Sequence, residues 1–279
     1  MLNRGYRDAA AAFMRLLKRA IQGTLEALGL HVVRLDRLML LMTLGAEPEV
    51  RTGADPLERH MLERCLSEVL HRLDVNCVLD VGANQGQYGR LLRDIGYTGH
   101  IVSFEPVGEV FEQLHDAASH DPKWATHRLA LGSERTSASM HVTLGRDFSS
   151  FLEPTAFSIR RFRTSAPVAR DEQVDVRRLD EVWDAVIGHV ERPRVFLKMD
   201  TQGYDLRVFE GARGVIDRIL GMQSELSAVP LYEGVPSMLE GLRVYQASGF
   251  QLSGLFPVSH DPETSRVLEY DSLLVRSGS

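Results

Sequence analysis

From residue 57 onward short apolar runs alternate with stretches of helical periodicity, and few architectures accommodate that alternation. The pattern predicts strands at about 77–81, 100–104, 126–130, 195–199, 219–225, 250–256 and 267–275. Helices are predicted at about 57–73, 86–95, 107–119, 204–217 and 237–248. Strands separated by helices imply a mostly parallel sheet covered on both faces, so the fold class is α/β. The last two strands are joined by a short stretch holding Pro257, His260 and Pro262, which makes them an antiparallel pair. Residues 133–192 are longer than a simple crossover needs and are the natural place for specificity-bearing structure.

Composition narrows the class further. With 44% hydrophobic and 25% charged residues the chain can bury a sizeable core. The net charge of -6 argues against a general nucleic-acid binder. Residues 1–37 carry seven Lys/Arg against three Asp/Glu, or +4, which leaves -10 for the rest. Within that basic head, Phe13, Leu16, Leu17, Ala20, Ile21, Leu25 and Leu28 recur at helical spacing over 9–28. Two domains are therefore expected, an N-terminal helical extension and linker over 1–56 and the main domain over 57–279. The basic helix reads either as packing on that domain or on a second subunit of a homodimer, or as a peripheral membrane contact. No apolar run is long enough to span a bilayer, and no signal-peptide pattern is readable. Cys65 and Cys77 form no CxxC or Cys/His cluster, and a reduced, cytoplasmic setting is expected.

The richest stretch runs Val78-Leu-Asp-Val-Gly-Ala-Asn-Gln-Gly-Gln-Tyr-Gly89, an apolar strand entering a glycine turn and then a helix. Glu105 closes the next strand, where it is placed to accept hydrogen bonds from both hydroxyls of a ribose. Gly82 and Gly86 are expected to let the backbone approach a ligand closely. A dinucleotide turn would carry glycine where Asn84 stands, and no Lys or Arg is present to meet a phosphate. Asp80 instead suits a cofactor with a positive sulfonium and ammonium, S-adenosylmethionine. A nicotinamide-dependent oxidoreductase is the alternative class that these residues disfavour.

Several blocks of the sequence are similar to the FkbM-type methyltransferases. They are Leu79-Asp-Val-Gly-Ala-Asn-Gln-Gly86, Phe104-Glu-Pro106, Ala130-Leu-Gly132, Ser149-Ser150, Val176-Arg-Arg-Leu-Asp180, Leu197-Lys-Met-Asp-Thr-Gln-Gly-Tyr-Asp205, Glu210-Gly-Ala212 and Gln223-Ser-Glu-Leu226. The resemblance covers about residues 76–275. It implies a Rossmann-like class I methyltransferase with a seven-stranded sheet, acting on oxygen in sugars, glycolipids or related natural products. By that likeness Asp80, Gly82, Asn84 and Gly86 would line the methionine part of the cofactor. Glu105 would hold the ribose, and residues around Leu131 would flank the adenine. Family members often have Glu where this chain has Asp205.

An alcohol becomes a competent nucleophile only as its proton leaves, so O-methylation needs a general base or a metal. Lys198 and Asp200 stand two apart at the end of the fourth strand and project to the same side. Asp200 is expected to be the base or acceptor-orienting carboxylate, and Lys198 to orient it or stabilise an alkoxide. Glu225, closing the fifth strand, could converge with Asp200, and the pair could hold Mg²⁺. His127, His141 and His260 are alternative bases, Ser149, Ser150 and Tyr204 candidate acceptor contacts, and Gly203 a tight-turn residue. A nucleic-acid or protein methyltransferase is the nearest competing function. Against it stand the acidic charge and the absence of an Asn-Pro-Pro-Tyr or Pro-Cys motif. A non-catalytic binding module of the same fold is a further alternative.

Overall fold

The computed structural model describes residues 56–145, 149–162 and 167–278. The predicted helix at 9–28 and the extension that holds it lie outside the described residues. Among those described, no helix is long and apolar enough to cross a membrane.

Helix α1 (Pro56–Arg72) leads into a seven-stranded sheet of β1 (Cys77–Val81), β2 (His100–Phe104), β3 (Trp124–His127), β7 (Val195–Met199), β8 (Ile219–Ser227), β9 (Phe250–His260) and β10 (Val267–Arg276). Their spatial order is β3-β2-β1-β7-β8-β10-β9. Strands β1, β2, β3, β7 and β8 pair in parallel, while β10 runs antiparallel to both neighbours. The chain moves outward from β1 through β2 and β3, then returns to the other flank of β1 as β7. That reversal opens a crevice at the carboxyl ends of β1 and β7, where α/β sheets bind ligands. This is the α/β architecture, a mostly parallel sheet of seven strands, that the alternation predicts.

β1 and β7 are buried at every position, as central parallel strands between two helical layers must be. On one face Leu79, Val81, Phe104, Leu197, Met199 and Met222 pack against α5 (Leu179–Ile187), α6 (Asp205–Gly211) and α7 (Met238–Ala247) through Trp183, Phe209 and Tyr245. On the other, Val78, Ile101, Phe196 and Leu273 meet Leu66 and Leu70 of α1 and Tyr88 and Leu92 of α2 (Gln87–Asp94). Helix α3 (Gly108–Ala118) adds Leu114 to that side.

Three expectations need correction. The predicted third strand divides: Trp124–His127 joins the large sheet, whereas β4 (Ala130–Leu131) pairs with β6 (Val168–Arg177). With β5 (Thr136–Thr143), these form a second sheet ordered β4-β6-β5, and α4 (Ala156–Arg161) follows it. Much of the 133–192 stretch is thus a small sheet. Second, β9 runs through Pro257 to His260, so these two residues are strand rather than loop. A proline is tolerated there because β9 is an edge strand. Third, the helix predicted to reach Asp217 ends at Gly211, and a 3₁₀ turn (Ile216–Arg218) completes the passage to β8.

Candidate active site

The turn after β1 is built from backbone. The N–H groups of Gly82 and Ala83 both donate to the Phe104 carbonyl, at 3.1 and 3.0 Å, and Asp200 N donates to Val81 O at 3.1 Å. Gly82 has φ +73°, and a Cβ there would overlap the Asp200 carbonyl. Gly86 has φ +82°, and a Cβ there would lie 3.1 Å from the Trp124 ring. Both glycines also have a purely structural reason. Gly82 lets the exits of β1 and β7 pass each other, and Gly86 seats α2 on Trp124.

Glu105 caps this turn from the end of β2. Its Oε2 accepts Asn84 N at 3.0 Å and its Oε1 accepts Val107 N at 2.9 Å. Burial pushes the carboxyl up to about 7 against the pull of those two N–H groups and of Lys198. Each oxygen keeps a further lone pair for an added donor.

Asp80 is placed differently from the expectation that it faces a cationic ligand. It is 0% exposed, its Oδ2 accepts Ser103 Oγ at 3.1 Å, and Lys198 Nζ stands 3.1 Å from its Oδ1. The register explains this: Ser103, Asp80, Lys198 and Gln223 are successive partners across β2, β1, β7 and β8, so they form one polar row on one face of the sheet. Trp124 Nε1 donates to Ser103 Oγ at 3.0 Å at one end, and Tyr88 donates to Gln223 Oε1 at 2.9 Å at the other. Two buried charges are tolerable here because each has the other and further hydrogen bonds.

Lys198 links the two ends of the crevice. Its Nζ donates to the Gly82 carbonyl at 3.2 Å and lies 3.5 Å from Asp200 Oδ2. Burial works against its charge, but Asp80 and then Asp200 prevail and hold its pKa above the ordinary lysine value. The Asp200 side chain is 40% exposed against 5% for Lys198, so it is the member of the pair that solvent or an acceptor can reach.

Gln202 brings Asp200 and Glu225 together. Its Nε2 donates to Asp200 Oδ1 at 3.0 Å and to Glu225 Oε2 at 3.3 Å, while Tyr232 donates to its Oε1 at 2.7 Å. Burial, with Glu269, Asp200, Asp271 and Asp205 nearby, drives the Glu225 carboxyl well above the usual carboxylate range. Asp271 stands opposite Glu225 on β10 and accepts Gln223 Nε2 at 2.9 Å. Asp205 is a staple. It accepts Thr201 N and Oγ1 at 2.8 and 2.5 Å on one oxygen, and Ser224 Oγ and Glu225 N at 2.8 and 3.0 Å on the other.

A family model described as the methyltransferase FkbM domain matches residues 80–252, more than half of the chain. The chain belongs to the FkbM methyltransferase family. The family's cofactor is S-adenosylmethionine, and the nicotinamide alternative falls with that membership. Among solved structures the chain is similar to an rRNA methylase from Streptococcus thermophilus, at 11% identity over 82% of this chain and 99% of that one, TM-score 0.41. It is also similar to the magnesium protoporphyrin IX methyltransferase of Synechocystis PCC 6803 with bound SAM, at 7% identity over 79% and 81%, TM-score 0.43. No curated protein matches.

The FkbM chain's residues fit that cofactor at Glu105, a buried carboxylate with lone pairs to spare for a ribose diol, beside the Asn84 turn. Leu131 does not serve an adenine with its side chain, which is 2% exposed and packs with Leu179 and Trp183 in the core. The Glu210-Gly-Ala212 and Ala130-Leu-Gly132 blocks explain each other, since a Cβ on Gly211 would overlap the Gly132 carbonyl. No group of three His, Cys, Asp or Glu that could hold a metal occurs among the described residues. The space between Asp200 and Glu225 is served by the Gln202 amide instead, so the Mg²⁺ expectation goes no further.

The remaining candidates are engaged elsewhere. His127 stacks on Phe104 at 5.4 Å, His141 contacts Asp171 at 2.7 Å and Glu153 at 3.2 Å, and His260 lies 3.8 Å from Glu58. Ser149 accepts Thr143 N at 3.3 Å, and Tyr204 packs on Phe151 at 4.8 Å. Ser150 does reach the site, donating to the Gln202 carbonyl at 2.8 Å. Gly203, at φ +86°, makes the tight turn expected of it. Sequence reasoning missed Gln202, Tyr232, Gln223, Glu269 and Asp271. The alternation of Glu269 and Asp271 in a largely apolar strand was a usable signal for the last two.

Proposed function

We propose that this methyltransferase carries a methyl group to a hydroxyl of a sugar, a glycolipid or a related natural product, with Asp200 taking the hydroxyl proton. The supporting observation is the reachable Asp200 carboxylate at the end of β7, held on one side by the Gln202 amide and on the other by a buried lysine. S-adenosylmethionine supplies an electrophilic methyl on a sulfonium when bound. Glu105 and the Asn84 turn hold its ribose. Asp200 draws the proton from the acceptor hydroxyl as that oxygen attacks, a contribution of about 10²–10⁴-fold in rate. Lys198 balances the charge on Asp200 and anchors it to the cofactor turn through the Gly82 carbonyl. Glu225, whose carboxyl burial and neighbouring carboxylates hold well above the usual carboxylate range, stands across the Gln202 amide from Asp200. In the same reading the enzyme works in the cytoplasm, with the basic segment 9–28 meeting a membrane that carries the acceptor.

The test begins with calorimetric titration by S-adenosylhomocysteine, with NAD as control, and continues with transfer of a radiolabelled methyl to sugars, glycolipids, RNA and protein. Saturable binding of the former ligand and label on a hydroxyl of a sugar or glycolipid support the reading. Label on RNA or protein instead would overturn it.

A further inference from the structure

Gln202 occupies a strained place for the contacts it makes. It follows β7 with φ +54°, a left-handed conformation uncommon outside glycine, asparagine and aspartate. Ser150 Oγ donates to its carbonyl at 2.8 Å and itself accepts Leu152 N at 3.0 Å. Its side chain is gripped at both ends, by the Tyr232 hydroxyl on Oε1 and by two carboxylates on Nε2. A hydroxyl that donates to an amide must meet its oxygen, so Tyr232 fixes which end of Gln202 faces Asp200 and Glu225. Tyr232 is 1% exposed and packs with Phe162, Leu231 and Leu268. Two further contacts bind its loop to the start of α4: Thr155 N donates to Leu231 O at 2.9 Å, and Glu233 N donates to Glu153 O at 2.8 Å.

We propose that Gln202 is a positioning residue that holds Asp200 and Glu225 together at the acceptor end, and that Ser150 and Tyr232 couple this pair to the 149–162 segment. The proposal rests on the reading of Asp200 as the base. Asp200 faces Lys198 on its own strand and Gln202 beyond it. Glu225 faces Gln202, with Asp271 opposite it on β10 and with Glu269, Asp205 and Asp200 acting on it. Into this acidic surround Gln202 brings a neutral N–H donor shared by two carboxyl groups. Without it the carboxylates lose a hydrogen bond that favours their charged forms, and the pair binds a proton more tightly. The same contacts would let an acceptor that docks on 149–162 alter the base.

Carboxyl ¹³C titration of the full chain tests this, with the two signals assigned by Asp200→Asn and Glu225→Gln. Gln202→Met, which keeps bulk but removes the donor, should raise the pair's midpoint by about one pH unit. Tyr232→Phe, which frees the amide to turn, should move it the same way by less. Affinity for S-adenosylhomocysteine should stay within about twofold of wild type, because the contacts at Glu105 are untouched. With an acceptor that wild type turns over, Gln202→Met should lower kcat about tenfold, leave KM for S-adenosylmethionine unchanged and shift the acid limb of the pH profile upward. Midpoints unmoved in both variants would overturn the proposal, and if Gln202→Met does not fold, Tyr232→Phe decides alone. A moved midpoint with full turnover in Asp200→Asn supports the positioning and removes the base assignment instead.

Discussion

The two ends of the crevice are built from different materials. At the β1–β2 end, backbone meets backbone or a single carboxylate: Gly82 and Ala83 on Phe104, Asn84 and Val107 on Glu105. At the β7–β8 end, side chain meets side chain, with Lys198, Gln202 and Tyr232 arranging Asp200 and Glu225. The first end is set by turn geometry, so it should be brittle at its glycines. The second is set by charge and donor orientation, so isosteric substitutions should disable it without disturbing the fold.

The largest expected effect separates the two. Asp200→Asn should lower turnover by about 10³-fold, the range of a lost general base, while affinity for S-adenosylhomocysteine stays within about twofold. Stopped-turnover assays and calorimetry on one preparation check both halves. If binding falls with turnover, the ends are not separable and the contrast fails. Gly82→Ala should strike the brittle end. It adds a Cβ against the Asp200 carbonyl at a positive φ, costing about 3 kcal/mol from strain and overlap together. Thermal unfolding should drop by about 6–12 °C, and a drop under 2 °C would show that the strand exits can move apart.

The same contrast explains what was legible in the sequence. The large sheet was readable because its strands are buried runs, and β1 and β7 fall where apolar periodicity puts them. The second sheet was not: along β6 only Val174 and Val176 are fully buried, so a ten-residue strand carries the composition of a loop. Gly82 was recognisable as a position that needs glycine. Whether a ligand or another strand crowded it depended on the partner strand, 116 residues from Gly82 to Lys198, which no local pattern encodes. The partner of Asp80 was hidden for the same reason, since it is set by β1–β7 register. Asp200 and Glu225 were legible as polar ends of apolar strands, but the amide between them depends on Tyr232, which comes from a loop beyond β8.

A smaller effect probes the cofactor end alone. Glu105→Ala removes the acceptor of two backbone N–H groups and of the ribose hydroxyls, so S-adenosylhomocysteine should bind about 10–100-fold more weakly. Unchanged affinity would remove Glu105 from the cofactor site and leave it as a turn cap.

The smallest effect is a difference in pH window between the ends. Glu269, buried near the acceptor carboxylates, is pushed up to about 8 by burial and then by Asp200, while burial takes Glu105 to about 7. Both folded values lie above that of an unfolded glutamate, so the folded state holds the proton more tightly. The stability this confers is fully present below about pH 4.3 and is lost as pH rises through the folded values. Each glutamine substitution removes a charge that the fold resists, so each variant should gain on wild type as pH increases. For Glu105→Gln the gain should be complete near pH 7. For Glu269→Gln it should keep growing to about pH 8.5, adding on the order of 1 kcal/mol between pH 7 and 8.5. Urea unfolding at pH 5, 7 and 8.5 resolves the two. If Glu269→Gln gains nothing between pH 7 and 8.5, the acceptor end does not hold its proton in that range, and the charge-built half of the crevice is better solvated than its burial implies.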